Sequence, residues 1–389
     1  MPSSVLNVPS PAWRAEEEFT LFADSVGKFL DEHAPPEKQE QWRGDRVVER
    51  DLWTKAGKAG LLGLEMPMAY GGAGGDFRHA AIFIEETALR GVDGWGVSVH
   101  SGIVMPYIET YGSEEQKMRW LPRLASGELV GAIAMTEPGT GSDLQSVKTS
   151  ARKAGNHYAI SGSKTFITNG QTANLIIVVT KTDPSLGAKG VSLIVVETDD
   201  APGFERGRNL HKVGLEAADT SELFFNEVRV PTANLLGHEE GRGFIQLMEK
   251  LPQERLIIAI GAAAMIERAL ETTLGYVRER KTFGRPLIDN QVVQFKLAEL
   301  KTDATVAKVF VNHCVALHVE GKLDGPTASM AKYWVTDMQN RVIDDCLQLH
   351  GGYGYMDEYP IARMYKDARV SRIFGGANEI MKMLIARTL

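Results

Sequence analysis

Two changes of hydrophobic period, one near Val130 and one near Gly241, limit what this chain can fold into. Before the first, apolar residues recur every three to four positions, as at Phe19, Phe22, Val26, Phe29 and Leu30, which predicts amphipathic helices to about Gly127. Between the two changes, "HYAISGSKTFITNG", "NLIIVVTKT", "GVSLIVVET" and "SELFFNEVRVP" are short, β-branched and separated by turn residues such as Asn169-Gly170 and Asp183-Pro184. That texture predicts antiparallel strands. Beyond Gly241, four long helical segments at about 242–281, 291–321, 325–350 and 358–387, joined by short connections, predict a bundle. The expected class is therefore α+β: an N-terminal α-helical domain over 1–129, a middle antiparallel β domain over 130–236 and a C-terminal four-helix bundle over 237–389.

Composition narrows the function classes. Against 50 Asp plus Glu stand 43 Lys plus Arg, a net charge of -7, so no broad positive field exists for nucleic acid or an anionic membrane. Any anionic ligand must be held locally. The apolar runs, 256–266 among the longest, are too short to span a bilayer. Cys314 and Cys346 form no metal-type or redox-type pair, so reduced intracellular chemistry without a bound metal is expected. The start, "MPSSVLNVPSPAWRAEEEFT", has no apolar signal core and turns acidic early, which predicts a cytoplasmic protein.

Three loops offer chemistry, each with a plain structural alternative. "AMTEPGTGSDLQS" (134–146) sets Thr136, Ser142 and two glycines beside a proline turn, offering backbone N–H groups and hydroxyls to a flat heterocycle or an oxyanion. Alone, it reads as a tight surface turn. "RKTFGRPLIDNQ" (280–291) combines a guanidinium for phosphate, an aromatic ring for an adenine face and an amide at Gln291; the alternative is a solvated interhelical loop. In "QLHGGYGYMDEYP" (348–360) the paired Gly351-Gly352 ends a helix and lets a backbone or a pyrophosphate approach, or is simply a helix cap. "AYGGAGGD" (69–76) lacks nucleotide-loop spacing and reads as a helix-connecting turn.

Taken together, "TEPGTGSD", "GSKTFITNG", "RKTFGRP" with Gln291, and "QLHGGYGY" make the chain resemble the acyl-CoA dehydrogenase family over essentially its whole length. The resemblance implies FAD as cofactor, a homotetramer, an acyl-CoA substrate and an electron-transfer flavoprotein as electron acceptor. It implies flavin contacts from Met135, Thr136, Gly141, Ser142, Phe166, Ile167 and Thr168. Arg280, Phe283, Gln291 and the turn Gln348, Leu349, His350, Gly351, Gly352 would reach the FAD of a neighbouring subunit. Ala377, Asn378 and Glu379 complete the cofactor set, and Ser142, Arg255, Gly375 and Gly376 the substrate set. Phe166 stands where many members carry tryptophan, and Ala377 where a threonine is common.

The same resemblance raises the question of the base. The family's C-terminal catalytic glutamate falls here, in "IFGGANEI" (373–380), on Gly375, which has no side chain. Members like the long-chain and isovaleryl-CoA dehydrogenases carry the base on the first helix of the C-terminal bundle, and "LPQERL" (251–256) matches them at Glu254. Helical spacing from Glu254 reaches Ile258, Gly261 and Met265, so the carboxylate projects from an apolar face. Read alone, it is a solvated glutamate in a favourable helical turn. Arg255 points about 100° away from it and would serve the ligand or a structural pair. The expected reaction is desaturation of a long or branched acyl-CoA to trans-2-enoyl-CoA. The alternatives are an acyl-CoA oxidase using oxygen, and a non-enzymatic acyl-CoA-binding or assembly subunit.

Overall fold

The amphipathic segments of the first third fold as α1 (Glu17–His33), α2 (Pro36–Asp45), α3 (Arg50–Lys58), α4 (Phe77–Leu89), α5 (Val97–Val99), α6 (Met105–Tyr111) and α7 (Glu114–Ala125). The computed structural model describes residues 4–6 and 11–389; residues 1–3 and 7–10, part of the stretch read above for a targeting signal, lie outside the described residues. In α1 the stripe Phe19, Ala23, Val26 and Leu30 is buried, as its spacing requires. The glycine-rich stretch is a connecting turn that delivers Asp76 as the N-cap of α4, where its carboxylate accepts from the Arg78 N–H at 2.9 Å. Between α5 and α6 runs a π turn, His100–Val104. Its extra residue rotates all that follows by about 100° relative to an unbroken α-helix.

Seven strands form one sheet: β1 (Gly131–Ala134), β2 (Ser150–Ala154), β3 (His157–Thr168), β4 (Leu175–Lys181), β5 (Val191–Glu197), β6 (Phe204–Asn209) and β7 (Thr220–Pro231). Their order is β1-β4-β2-β3-β7-β6, with β5 on β4. The pairs β2–β3, β3–β7, β4–β5 and β6–β7 are antiparallel as expected, but the sheet as a whole is mixed. β1 lies parallel to β4, Gly131 opposite Leu175, and β2 meets β4 in parallel at Ser150 and Lys181. Helices cover both faces at β4: Ile176 and Val178 pack with Val26, Leu30 and Trp53, whereas Leu175, Ile177 and Val179 pack with Tyr107, Trp120 and Leu121. A strand buried on both faces reads as a continuous apolar run, which is what "LIIVV" is.

The last third opens with α8 (Gly243–Glu279), followed by the hairpin β8 (Lys281–Thr282) and β9 (Arg285–Pro286), then α9 (Gln291–Val319) and α10 (Gly325–His350). These three long helices share one core, with Leu256, Ile260, Ile266, Leu300, Val335 and Ile343 inside. Full burial of each such side chain contributes about 1.5–3 kcal/mol. The expected fourth long helix is two short ones, α11 (Pro360–Ala368) and α12 (Asn378–Ala386). The apolar period runs on between them, but Gly375 and Gly376 take φ values of 64° and 95° and turn the chain.

Candidate active site

Glu254 lies well inside α8, not in its first turn, and is only 5% exposed. The Tyr107 hydroxyl on α6 donates to its Oε1 at 2.9 Å. Burial pushes the carboxyl up to about 7, against the opposing pull of the Tyr107 hydrogen bond, Arg255 and Lys250. At that value the group is a competent base near neutral pH and still binds a proton firmly once it has one. Tyr107 is fully buried, and burial together with the Glu254 charge pushes its phenol well up, so it remains a neutral donor. Arg255 is also buried and turns to α10, donating from Nη1 to the Ser329 hydroxyl at 3.1 Å.

One turn along α8 from Glu254, Ile258 meets the turn at 375. A Cβ built on Gly375 overlaps the Ile258 Cδ1. The space a side chain at 375 would need is thus filled from the helix that carries Glu254. The turn itself is held from α10 by Lys332, fully buried, whose ammonium donates to the Gly376 carbonyl at 2.7 Å and to Asn378 Oδ1 at 2.8 Å. Burial first, then the nearby Arg255 charge, lowers the Lys332 pKa to about 8. Asn378 completes the fixture by donating to Thr336 Oγ1 at 3.0 Å and Asp337 Oδ1 at 2.9 Å. Ala377 is the N-cap residue of α12, and Glu379 on that helix is exposed.

The two segments expected to face flavin are tied together. The Thr165 N–H donates to the Thr136 carbonyl at 2.9 Å, and Lys164 Nζ donates to the Met135 carbonyl at 3.1 Å and to Glu137 Oε1 at 2.9 Å. Burial opposes ionisation of Glu137, but Lys164 and the Thr149 and Lys148 N–H groups outweigh it and hold the carboxyl below its usual range. A register shift in the β3–β7 ladder between Lys164 and Ile167 then turns Phe166 out: its φ is 59° and its ring is 65% exposed, while Ile167 stays buried. Thr168 closes the strand opposite Thr220. Gly141 and Ser142 are exposed beside this wall, and a Cβ on Gly141 would meet nothing within 4 Å.

A second group gathers at the far end of α8. Arg280 lies 5.5 Å from the Tyr353 ring centroid, and Tyr276 stacks on His350 at 4.3 Å and donates to the His350 carbonyl at 3.1 Å. Those contacts bring the hairpin and the turn Gln348, Leu349, His350, Gly351, Gly352 to one end of the bundle. Phe283 projects fully exposed at φ 52°, Gln291 starts α9 and is exposed, and Gly351 and Gly352 face open space. Among the described residues Arg280 has no carboxylate partner. Exposed rings, an unpaired guanidinium and open glycine backbone fit a nucleotide cofactor with an aromatic heterocycle and a pyrophosphate.

Models of the acyl-CoA dehydrogenase N-terminal, middle and C-terminal domains match residues 16–128, 132–228 and 241–389. The chain belongs to the acyl-CoA dehydrogenase family. This dehydrogenase is 52% identical over 374 residues to the long-chain specific acyl-CoA dehydrogenase, mitochondrial, of Sus scrofa, covering 96% of this chain and 86% of that one. It is similar to the solved acyl-CoA dehydrogenase of Geobacillus kaustophilus at a TM-score of 0.94 and 47% identity, over 97% and 99% of the two chains. At a TM-score of 0.89 and 29% identity it also resembles a glutaryl-CoA dehydrogenase of Mycobacterium smegmatis solved in complex with FADH2, over 96% and 94% of the two chains. It is an oxidoreductase that desaturates an acyl-CoA between its α and β carbons with FAD as cofactor.

Sequence reasoning missed Tyr107, Lys332 and the Lys164–Glu137 pair. The pair had a local signal, since each charge sits inside an otherwise uncharged motif, "TFITNG" preceded by Lys164 and "AMTEPG" around Glu137. Among the described residues no helix is long and apolar enough to cross a membrane and no cluster could hold a metal ion.

Proposed function

We propose that Glu254 is the base that removes the α proton of a long-chain or branched acyl-CoA. One observation carries this reading: a buried carboxylate with raised proton affinity stands on the helix whose Ile258 fills the space above Gly375. Bound FAD supplies the acceptor for the β hydrogen, which leaves as hydride. Tyr107 takes one acceptor site of Glu254 Oε1, which favours Oε2 as the oxygen that takes the proton. The left-handed turn at Gly375 and Gly376, held by Lys332, offers backbone N–H groups for the thioester oxygen, where negative charge develops. Positioned general base catalysis contributes about 10²–10⁴-fold.

The cofactor set reads as two half-sites. Met135, Thr136, Gly141, Ser142, Phe166, Ile167 and Thr168 form the flavin wall with Ala377, Asn378 and Glu379, and the Arg280, Phe283, Gln291 and 348–352 group serves the cofactor of a neighbouring subunit in a homotetramer. The exposure of Phe283 supports that sharing. Dilution below the assembly concentration should release flavin, and retention by the monomer counts against it. Ser142, Arg255, Gly375 and Gly376 form the substrate set, Arg255 acting through its contact with α10. A cytoplasmic setting and an electron-transfer flavoprotein as acceptor complete the reading.

Anaerobic bleaching of the oxidised flavin by a panel of saturated acyl-CoAs, native protein against Glu254→Gln, tests the assignment. Loss by orders of magnitude with ligand binding retained supports it. Equal bleaching removes Glu254 from the mechanism, rapid peroxide formation in air favours the oxidase, and tight binding without bleaching of either protein favours a binding subunit.

A further inference from the structure

Three features converge beside Glu254 that proton abstraction alone does not use. The first is the π turn His100–Val104, which re-phases α6 so that Tyr107 faces α8. The second is Pro106, which has no N–H to offer the carbonyl four residues back; that carbonyl, Gly102, accepts instead from Gln253 Nε2 on α8 at 3.3 Å. Gln253 is the neighbour of Glu254, so the irregular turn is fastened to the helix at the base. The third is the Tyr107 hydrogen bond itself, which joins residues 147 apart in sequence in a fully buried setting.

We infer that Tyr107 is a positioning residue for the base: its hydroxyl fixes one oxygen of Glu254, selects the other as proton acceptor and favours the ionised carboxylate. The inference rests on Glu254 being the base. A carboxyl free to rotate would present either oxygen, with either lone pair, to the substrate carbon. Held at Oε1 by a donor that cannot itself ionise in the working range, it keeps one orientation and presents Oε2 first.

The charged and titratable surroundings allow this effect to be isolated. Tyr107 from α6 is hydrogen-bonded to Glu254, and the charges of Arg255 and Lys250 on α8 itself act on it. Lys250 in turn feels Glu109 on α6, Glu65 in the segment after α3, and Glu249, and it lies 5.8 Å from the Tyr111 ring centroid. Tyr111 donates to Glu249 at 2.7 Å. His318 on α9 is affected by Lys250, and Lys332 on α10 by Arg255. Tyr107→Phe leaves all of these groups in place, preserves the ring in the core and deletes only the donor.

The test compares native holoenzyme, Tyr107→Phe and Glu254→Gln by two readouts. One is the acid limb of kcat/KM against pH for a saturated long-chain acyl-CoA. The other is the titration of the Glu254 carboxyl stretch in the infrared, identified by subtracting Glu254→Gln. In Tyr107→Phe both midpoints should rise by roughly one to two pH units, because a hydrogen bond to the charged form has been lost. The CoA phosphates titrate alike in every protein, so the difference reports the enzyme. A difluorotyrosine at position 107, a stronger donor of the same shape, should move both midpoints the other way. A merely structural tyrosine would lower rate or stability and leave the midpoints in place, and that result overturns the inference. If Glu254→Gln retains full bleaching, the base assignment itself fails, whatever Tyr107→Phe does.

Discussion

Moving the proposed base from Glu254 to position 375 should fail unless Ile258 is trimmed at the same time. Gly375 sits at φ 64°, where an L side chain costs about 1–2 kcal/mol. Its Cβ also overlaps the Ile258 Cδ1, the movable end of that side chain, and pushing the methyl off its rotamer costs about 0.5–1.5 kcal/mol. Gly375→Glu alone should therefore destabilise the protein by about 1.5–3.5 kcal/mol. In Glu254→Gln/Gly375→Glu the new carboxylate should be displaced from the reacting carbon and restore little bleaching. Adding Ile258→Ala removes the overlap while leaving the backbone strain, so the triple variant should regain the overpacking share of the stability and a measurable part of the activity. Thermal flavin release and single-turnover anaerobic bleaching, measured on the same three proteins, check both halves. A double variant as active and as stable as the triple one would refute the claim that Ile258 occupies that space.

Other expectations follow from the buried charges. Lys332→Met should leave the Gly376 carbonyl and Asn378 without their charged donor; hydrogen bonds to a charged group are worth about 1.5–3 kcal/mol, so bleaching should slow by roughly 10–100-fold with Phe166 packing unchanged. In native protein, kcat/KM should rise with pH through about 7 as Glu254 ionises, and be flat well above it. The stability sign is opposite: the folded carboxyl binds its proton more tightly than the unfolded one, so this group's contribution is full below its ordinary pKa and declines as pH rises to about 7. Glu254→Gln should flatten the activity dependence and remove only its own share of the stability dependence, because Glu65, pushed up to about 7 by burial, and Asp367, pushed up to about 6, remain.

How far the site could be read in advance depended on the range of the interactions that build it. The α–β–α order was readable from period alone, because burial on one face imposes spacing locally. Parallel pairing of β1 with β4 was not, since it is decided between Gly131 and Leu175 and leaves no mark in either strand. The fourth helix was misjudged because apolar spacing from Ile361 to Met381 continues through a turn whose only local sign is two adjacent glycines. Glu254 stood out as the candidate base because Gly375 lacks a side chain that the family pattern led one to seek. Tyr107 was not: a tyrosine on an apolar helix face looks like core, and only the packing of α6 on α8 brings its hydroxyl to a carboxylate.

The Lys164–Glu137 bond also sets an order in time. Its partners are 27 residues apart within one stretch of chain, and the contact between Thr136 and Thr165 forms over a similar span. A ribosome that has released β3 has already made both partners of this tie, with β7, whose register shift against β3 turns Phe166 out, still to come. The clasp between Tyr107 and Glu254 spans 147 residues and must wait until α8 has emerged. During synthesis the tie between the two segments proposed to face flavin therefore precedes the contact at the proposed base, and a chain halted between β7 and α8 carries that tie without Glu254 beside it.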